Sequence, residues 1–180
     1  MIFTELALPG AFLVEIKQIG DDRGFFGRSW CAEEFAEHGL KNNICQINTS
    51  VSKRKGTIRG MHFQIAPHAE TKFIRCTKGS IYDVIIDLRP DSDTFKQWLG
   101  TELKADHYSM LYVPEGFAHG FVTLEDDTEV YYPVTAAYHP ASERGIRFND
   151  PAFNIEWPVP VTVYSEKDMS HADFDESILS

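Results

Sequence analysis

Short runs of β-branched and aromatic residues, each closed by Gly, Pro or Asp, constrain this chain more than any other feature. Ala11-Phe12-Leu13-Val14-Glu15-Ile16, Lys72-Phe73-Ile74-Arg75-Cys76, Ser80-Ile81-Tyr82-Asp83-Val84-Ile85-Ile86-Asp87-Leu88 and Ser109-Met110-Leu111-Tyr112-Val113 each suit a strand in a packed sheet. Turn clusters punctuate them at Gly20-Asp21-Asp22-Arg23-Gly24, Lys78-Gly79-Ser80, Arg89-Pro90-Asp91-Ser92-Asp93 and Glu125-Asp126-Asp127. Ala32 to His38, rich in Glu and Ala and stopped by Gly39, reads as a helix, with a short turn around Asp150-Pro151-Ala152-Phe153. Strands do not alternate with long helices, which argues against a parallel α/β sheet and for an all-β sandwich or barrel.

One domain covering 1–180 is the natural size for such a fold, and roughly 70% of the unfolded surface is buried at this length. The stretch from about Met169 to Ser180 is acidic and polar apart from Phe174, Ile178 and Leu179, and reads as a loosely held tail. No segment approaches the roughly 18 apolar residues of a membrane span. Met1-Ile2-Phe3-Thr4-Glu5 lacks the basic and apolar stretches of a secretory signal, so the chain reads as cytoplasmic with no membrane partner. Cys31, Cys45 and Cys76 match neither a disulfide framework nor a zinc or redox spacing. A net charge of −10 repels nucleic acid. A small anionic ligand would need local convergence of cations such as Arg23, Arg59, Lys72 and Arg75.

Arg59-Gly60-Met61-His62-Phe63-Gln64 carries the strongest chemical signal. Regular alternation puts Gly60, His62 and Gln64 on one face and Arg59, Met61 and Phe63 on the other. His62 then reads either as a satisfied interior histidine or as a general base. Lys72 is either a solvated edge lysine or a cation for a developing oxyanion. His119 closes a Pro114-x-Gly116-x-x-His119 turn. That turn resembles half of a barrel metal site, but Met61-His62-Phe63-Gln64 lacks the paired imidazole and carboxylate of the other half, and no metal is expected. Tyr131 and Tyr132 turn to opposite faces, so one phenol can meet a cavity while the other packs outside. Asp168 is a surface charge unless the chain folds back to orient His62.

Together with Asp22-Arg23-Gly24-Phe25-Phe26, Gln46-Ile47-Asn48-Thr49-Ser50, Ser142 to Pro151 and Ser165-Glu166-Lys167-Asp168, these motifs resemble the dTDP-4-dehydrorhamnose 3,5-epimerase family. The resemblance implies an antiparallel jelly roll, a cupin-type β-sandwich, usually a homodimer in which an N-terminal segment completes the neighbouring site. It implies a nucleotide-linked 4-keto-6-deoxyhexose as substrate and no redox cofactor or metal. By motif, His62 resembles the base, Asp168 its orienting carboxylate, Lys72 the cation near the enolate oxygen and Tyr132 the acid. Arg59, His119, Glu143 and Lys167 match positions toward the sugar and diphosphate. Arg23, Gln46 and Asn48 match the nucleotide side, Arg23 across the dimer, and Phe26, Arg28 and Tyr138 are further substrate-binding positions that the resemblance implies.

The chain departs from the family in two places. Arg28 stands where the family usually has Glu, replacing an acceptor with a donor, and Pro133 stands where Lys is common, removing a backbone donor beside Tyr132. A C3-only epimerase, or one for a GDP- or CDP-linked sugar, is the near alternative. A non-catalytic sugar nucleotide-binding module is the distant one, and a binder has no need of an acid and a base together.

Overall fold

In the computed structural model, which describes residues 1–180, two antiparallel sheets pack face to face. The strands run β1 (Ile2–Glu5), β2 (Phe12–Glu15), β3 (Ile19–Asp21), β4 (Gly24–Phe26), β5 (Gln46–Ser52), β6 (Ile58–Gln64) and β7 (Lys72–Lys78). They continue with β8 (Ser80–Asp87), β9 (Trp98–Lys104), β10 (Ser109–Val113), β11 (Phe117–Thr123), β12 (Thr128–Val134) and β13 (Glu143–Gly145). One sheet has the order β1-β2-β10-β7-β12-β5, the other β13-β6-β11-β8-β9, and β3 with β4 forms a separate hairpin. This is the all-β, cupin-type sandwich expected from the sequence.

Alternation along the strands builds three packing layers. Ile74, Cys76, Ile81, Ile85, Leu111 and Val130 meet between the sheets. Met61, Phe63, Val84, Ile86 and Ile146 pack on the outer side of the five-stranded sheet. Phe73, Met110 and Tyr112 pack outside the six-stranded sheet beneath Phe35 of helix α1 (Ala32–Glu37). The helix stops as its sequence dictates: Gly39 takes φ +70°, its N–H reaches Ala36 O, and Leu40 N–H reaches Phe35 O, a Schellman ending. β9, Trp98-Leu99-Gly100-Thr101-Glu102-Leu103-Lys104, has few β-branched residues, and its antiparallel partner β8 decides its conformation.

Two expectations need correction. The residues beyond Met169 are anchored rather than loose: Phe174, Ile178 and Leu179 pack on the outer layer, the Phe174 ring lies 5.0 Å from Phe153, and its N–H donates to Asp150 Oδ2 at 2.7 Å. Three apolar side chains in an acidic stretch suffice to hold it down. The face assignment along β6 also fails. His119 pairs with His62 and Phe121 with Arg59, so β6 carries one residue more than β11 in that interval. This bulge brings Arg59 onto the same cavity as His62, while Met61 and Phe63 stay in the outer layer. Gly60 makes it possible: at φ +112°, a Cβ there would lie 2.6 Å from Gly120 Cα and from His119 O.

Candidate active site

Two adjoining cavities, of about 470 and 380 Å³, run along β5, β6 and β12, and His62, Lys72 and Tyr132 line both. His62 comes from β6 of the five-stranded sheet, Lys72 and Tyr132 from β7 and β12 of the six-stranded one. The imidazole and the phenol therefore reach the same two cavities from different sheets.

His62 Nε2 lies 2.8 Å from Asp168 Oδ1. Asp168 sits in the short helix α2 (Glu166–Met169), whose N-cap Ser165 accepts the Asp168 N–H at 3.0 Å, so the chain does fold back onto β6. Burial alone would raise the Asp168 carboxyl. Hydrogen bonding and charge from His62, the Ser165 hydroxyl and the Gly60 backbone outweigh it and hold the group below the usual range. An ionised Asp168 accepts the Nε2 proton, which leaves the lone pair of the neutral ring on Nδ1.

Lys72 is buried rather than solvated. Its ammonium donates to His62 O at 2.9 Å and pairs with Glu70 Oε1 at 3.1 Å. Burial first, and the Glu70 charge second, push the Tyr132 phenol above its ordinary value, with Arg59 opposing. His119 donates or accepts through Nε2 at 3.0 Å from Asp83 Oδ2, and Asp83 is wholly buried with Oδ1 unpartnered. That burial raises the Asp83 carboxyl against the pull of His119 and Lys72. His62 and His119 each engage their own carboxylate, and no group of three His, Cys, Asp or Glu side chains is arranged to hold a metal.

The remaining expected residues divide into two sets. Arg59, His119 and Lys167 line the larger cavity, and Gln46, Asn48, Tyr138 and Glu143 the smaller. Arg59 is aimed by hydrogen bonds to Ser52 Oγ at 3.1 Å and Val51 O at 3.0 Å. Glu143 accepts from Lys167 at 2.7 Å and from Tyr138 Oη at 2.8 Å, and these bonds overcome burial to keep its carboxyl low. Arg23, Phe26 and Arg28 join neither cavity. The Arg23 side chain is 89% exposed on the β3–β4 hairpin and Phe26 is 74% exposed, while Arg28 pairs with Glu34 at 2.8 Å beside the N-terminus.

Sequence reasoning missed Glu70 and Asp83. A signal existed for Asp83: a carboxylate inside Ile81-Tyr82-Asp83-Val84-Ile85-Ile86 is buried only if it has a partner. Nothing in the Glu70 neighbourhood distinguished it from a surface acid. At Pro133, the ladder from β12 to β7 lapses between Tyr131 and Val134, while that to β5 continues unbroken. A proline that cannot donate accounts for the gap.

A cupin-type sandwich that holds an imidazole–carboxylate pair on one sheet, a phenol on the other and an ammonium beside both is the frame of a proton-transfer isomerase. Residues 5–176 match the family model described as dTDP-4-dehydrorhamnose 3,5-epimerase. The chain is 42% identical over 182 residues to the dTDP-4-dehydrorhamnose 3,5-epimerase of Salmonella typhimurium, covering 100% of this chain and 99% of that one. It superposes with a TM-score of 0.92 on the Bacillus anthracis dTDP-4-dehydrorhamnose 3,5-epimerase with TDP and PPi bound, at 44% identity, covering 96% of this chain and 99% of the other. A Legionella pneumophila dTDP-6-deoxy-D-glucose-3,5-epimerase in complex with dTDP-4-keto-L-rhamnose gives a TM-score of 0.87 at 35% identity, covering 94% and 90%. The chain belongs to the dTDP-4-dehydrorhamnose 3,5-epimerase family, and it is an isomerase acting on a nucleotide-linked 4-keto-6-deoxyhexose. The relatives favour this reading over a C3-only enzyme, a GDP- or CDP-linked substrate, or a non-catalytic binding module. No helix is long and apolar enough to cross a membrane.

Proposed function

We propose that His62 removes the protons at C3 and C5 of a dTDP-linked 4-keto-6-deoxyhexose and that Tyr132 gives its own phenolic proton to each carbon from the opposite face, both groups being reset by exchange with solvent. The observation that carries this assignment is the placement of His62 and Tyr132 on opposing sheets, with Lys72 lining the same two cavities. The C4 ketone acidifies both neighbouring carbons. Nδ1 of His62 takes the proton while Asp168 stabilises the resulting imidazolium, and the Lys72 ammonium receives the charge that moves onto the ketone oxygen. Tyr132, held above the ordinary tyrosine value, is a protonated acid throughout the neutral range. His119, Arg59 and Lys167 supply donors to the sugar and diphosphate, and guanidinium binds such oxygens in pairs.

The nucleotide side is completed by a second copy of the chain. Supporting this are the β3–β4 hairpin, which carries Arg23 and Phe26 away from their own cavities, and an uncovered apolar face on the six-stranded sheet. Ile47 and Val51 of its edge strand β5 are 52% and 54% exposed. Arg28 then faces the nucleotide with a donor. A cytoplasmic location accords with three free cysteines.

The test is solvent exchange. Incubated in deuterated water with dTDP-4-keto-6-deoxyglucose, the protein should incorporate deuterium at C3 and C5. His62→Ala should abolish incorporation, and Tyr132→Phe should spare proton removal more than product formation. No exchange at either carbon, or equal activity in both variants, would reject these roles.

A further inference from the structure

The Lys72 side chain is only 8% exposed, and an ammonium so placed needs a compensating charge. Glu70, 12% exposed and two residues upstream, provides it through Oε1. Glu70 is itself braced. Its Oε2 accepts from Gln64 Nε2, and the same amide nitrogen donates to His68 O at 3.0 Å. The Gln64 amide oxygen accepts the His139 N–H at 2.6 Å. That last bond fixes which end of the Gln64 amide faces Glu70, because a flipped amide would set donor against donor. Of the three hydrogens on the Lys72 ammonium, His62 O takes one and Glu70 another, so one is left for the cavity.

We propose that Glu70 is a positioning residue of this site: braced by Gln64, it holds the Lys72 ammonium with one N–H free for a substrate oxygen and sets a negative charge beside Tyr132. The proposal rests on the roles assigned above to Lys72 and Tyr132. Glu70 lines the smaller cavity with Tyr132 and Lys72, so its charge is felt by the phenol as well as by the ammonium it pairs with. The other charged or titratable groups around that phenol are Arg59 and His62 from β6, Lys72 from β7, His119 from β11, Tyr138, Tyr164, and Lys167 and Asp168 from α2. Glu143 of β13 adds a second carboxylate to the smaller cavity. Glu70 opposes Arg59 in setting the phenol, and its charge acts in the direction that keeps the proton on Tyr132.

Glu70→Gln keeps the shape and removes the charge, and Glu70→Asp keeps the charge. In the exchange assay Glu70→Gln should lose on the order of ten- to a hundredfold in kcat with KM within about twofold, and Glu70→Asp should recover most of it. In protein carrying ¹³C-labelled tyrosine rings, the Tyr132 titration, assigned by its loss in Tyr132→Phe, should move about one pH unit lower in Glu70→Gln and stay in place in Glu70→Asp. Should Glu70→Gln fail to fold, Gln64→Ala removes the brace and leaves the charge: kcat should fall while KM and the tyrosine titration hold. An unmoved titration in Glu70→Gln, or undiminished kcat in both variants, overturns the proposal. Wild-type protein inert toward the sugar nucleotide would sink the functional reading instead, and the tyrosine titration would still decide the placement of the Glu70 charge.

Discussion

The Lys72 ammonium donates to the carbonyl oxygen of His62 at 2.9 Å, tying a cation on the six-stranded sheet to an imidazole-bearing residue on the five-stranded one. The bond uses backbone rather than side chain, so it leaves the His62 ring free to engage Asp168. Distance between the two groups is thereby set by sheet packing, which is stiffer than any loop.

Lys72→Met tests the cation apart from the fold. Loss of the ammonium should lower kcat on the order of a hundred- to a thousandfold, as for other groups that meet a developing oxyanion. It also strands Glu70 as a buried unpaired charge, a change that costs about 3–5 kcal/mol. The double variant Lys72→Met/Glu70→Met should regain most of that stability in denaturant titration and remain inactive. Recovery of activity in the double variant would mean that Lys72 serves only to neutralise Glu70.

The fold was legible because strand runs such as Lys72 to Cys76 carry both their alternation and their stops, and the Phe35 helix carries its own Gly39 ending. The site was legible only where one residue type in one pattern has few uses, as with His62 and Lys72. Arg59 defeated the alternation rule because a bulge depends on the pairing with β11, which lies about a third of the chain away in sequence. Glu70 and Lys72 are two residues apart, but the burial that makes their pairing matter comes from sheet packing, and the tie between His119 and Asp83 comes from the pairing of β11 with β8, so residue spacing marks neither. The β3–β4 hairpin reads as a turn in sequence and as an exposed arm in structure, and neither names what it touches.

Asp168→Asn removes the charge that the His62 ring proton meets, while an amide of nearly the same shape remains. Either amide end can face Nε2, so the ring loses its fixed tautomer. Activity should fall on the order of a thousand- to ten-thousandfold with KM little changed, read by steady-state exchange. A loss below about tenfold would assign Asp168 to folding rather than to the ring.

Gly60→Ala should unfold or loosen the protein. The new methyl group meets Gly120 Cα and His119 O at 2.6 Å, both on backbone that cannot step aside, and φ +112° is disfavoured for any side chain. A loss of about 2–4 kcal/mol in chemical denaturation is expected. Unchanged stability would show that β6 and β11 can separate at the bulge without cost.

Acid sensitivity should reside in part at Asp87. Burial would raise this carboxyl, but Arg89, Ser92 and Thr94 hydrogen bonds overcome it and bring the group to about 2. A carboxyl depressed on folding adds stability that is complete above its unfolded value and is lost as pH falls toward the folded one. The contribution is about 2 kcal/mol at neutral pH, disappearing between about pH 4 and 2. Asp87→Asn should be less stable at pH 7 and show a shallower decline across that window, measured by denaturant midpoints at each pH.

Arg23 offers a test of the second copy that needs no crystal. If its side chain serves the neighbouring site, Arg23→Ala and His62→Ala damage different subunits of the same site. Each variant alone should be weak or inactive. Mixed in equal amounts and allowed to exchange subunits, half of the dimers contain one of each chain, and in those one site carries both lesions while the other carries none. Activity should return to about a quarter of wild type, the value for two sites shared across a two-fold axis. If Arg23 acts within its own chain, every site in the mixture keeps one lesion and the mixture shows only the mean of its parts. Failure of the two chains to associate, seen as a monomer by sedimentation, would overturn the shared site.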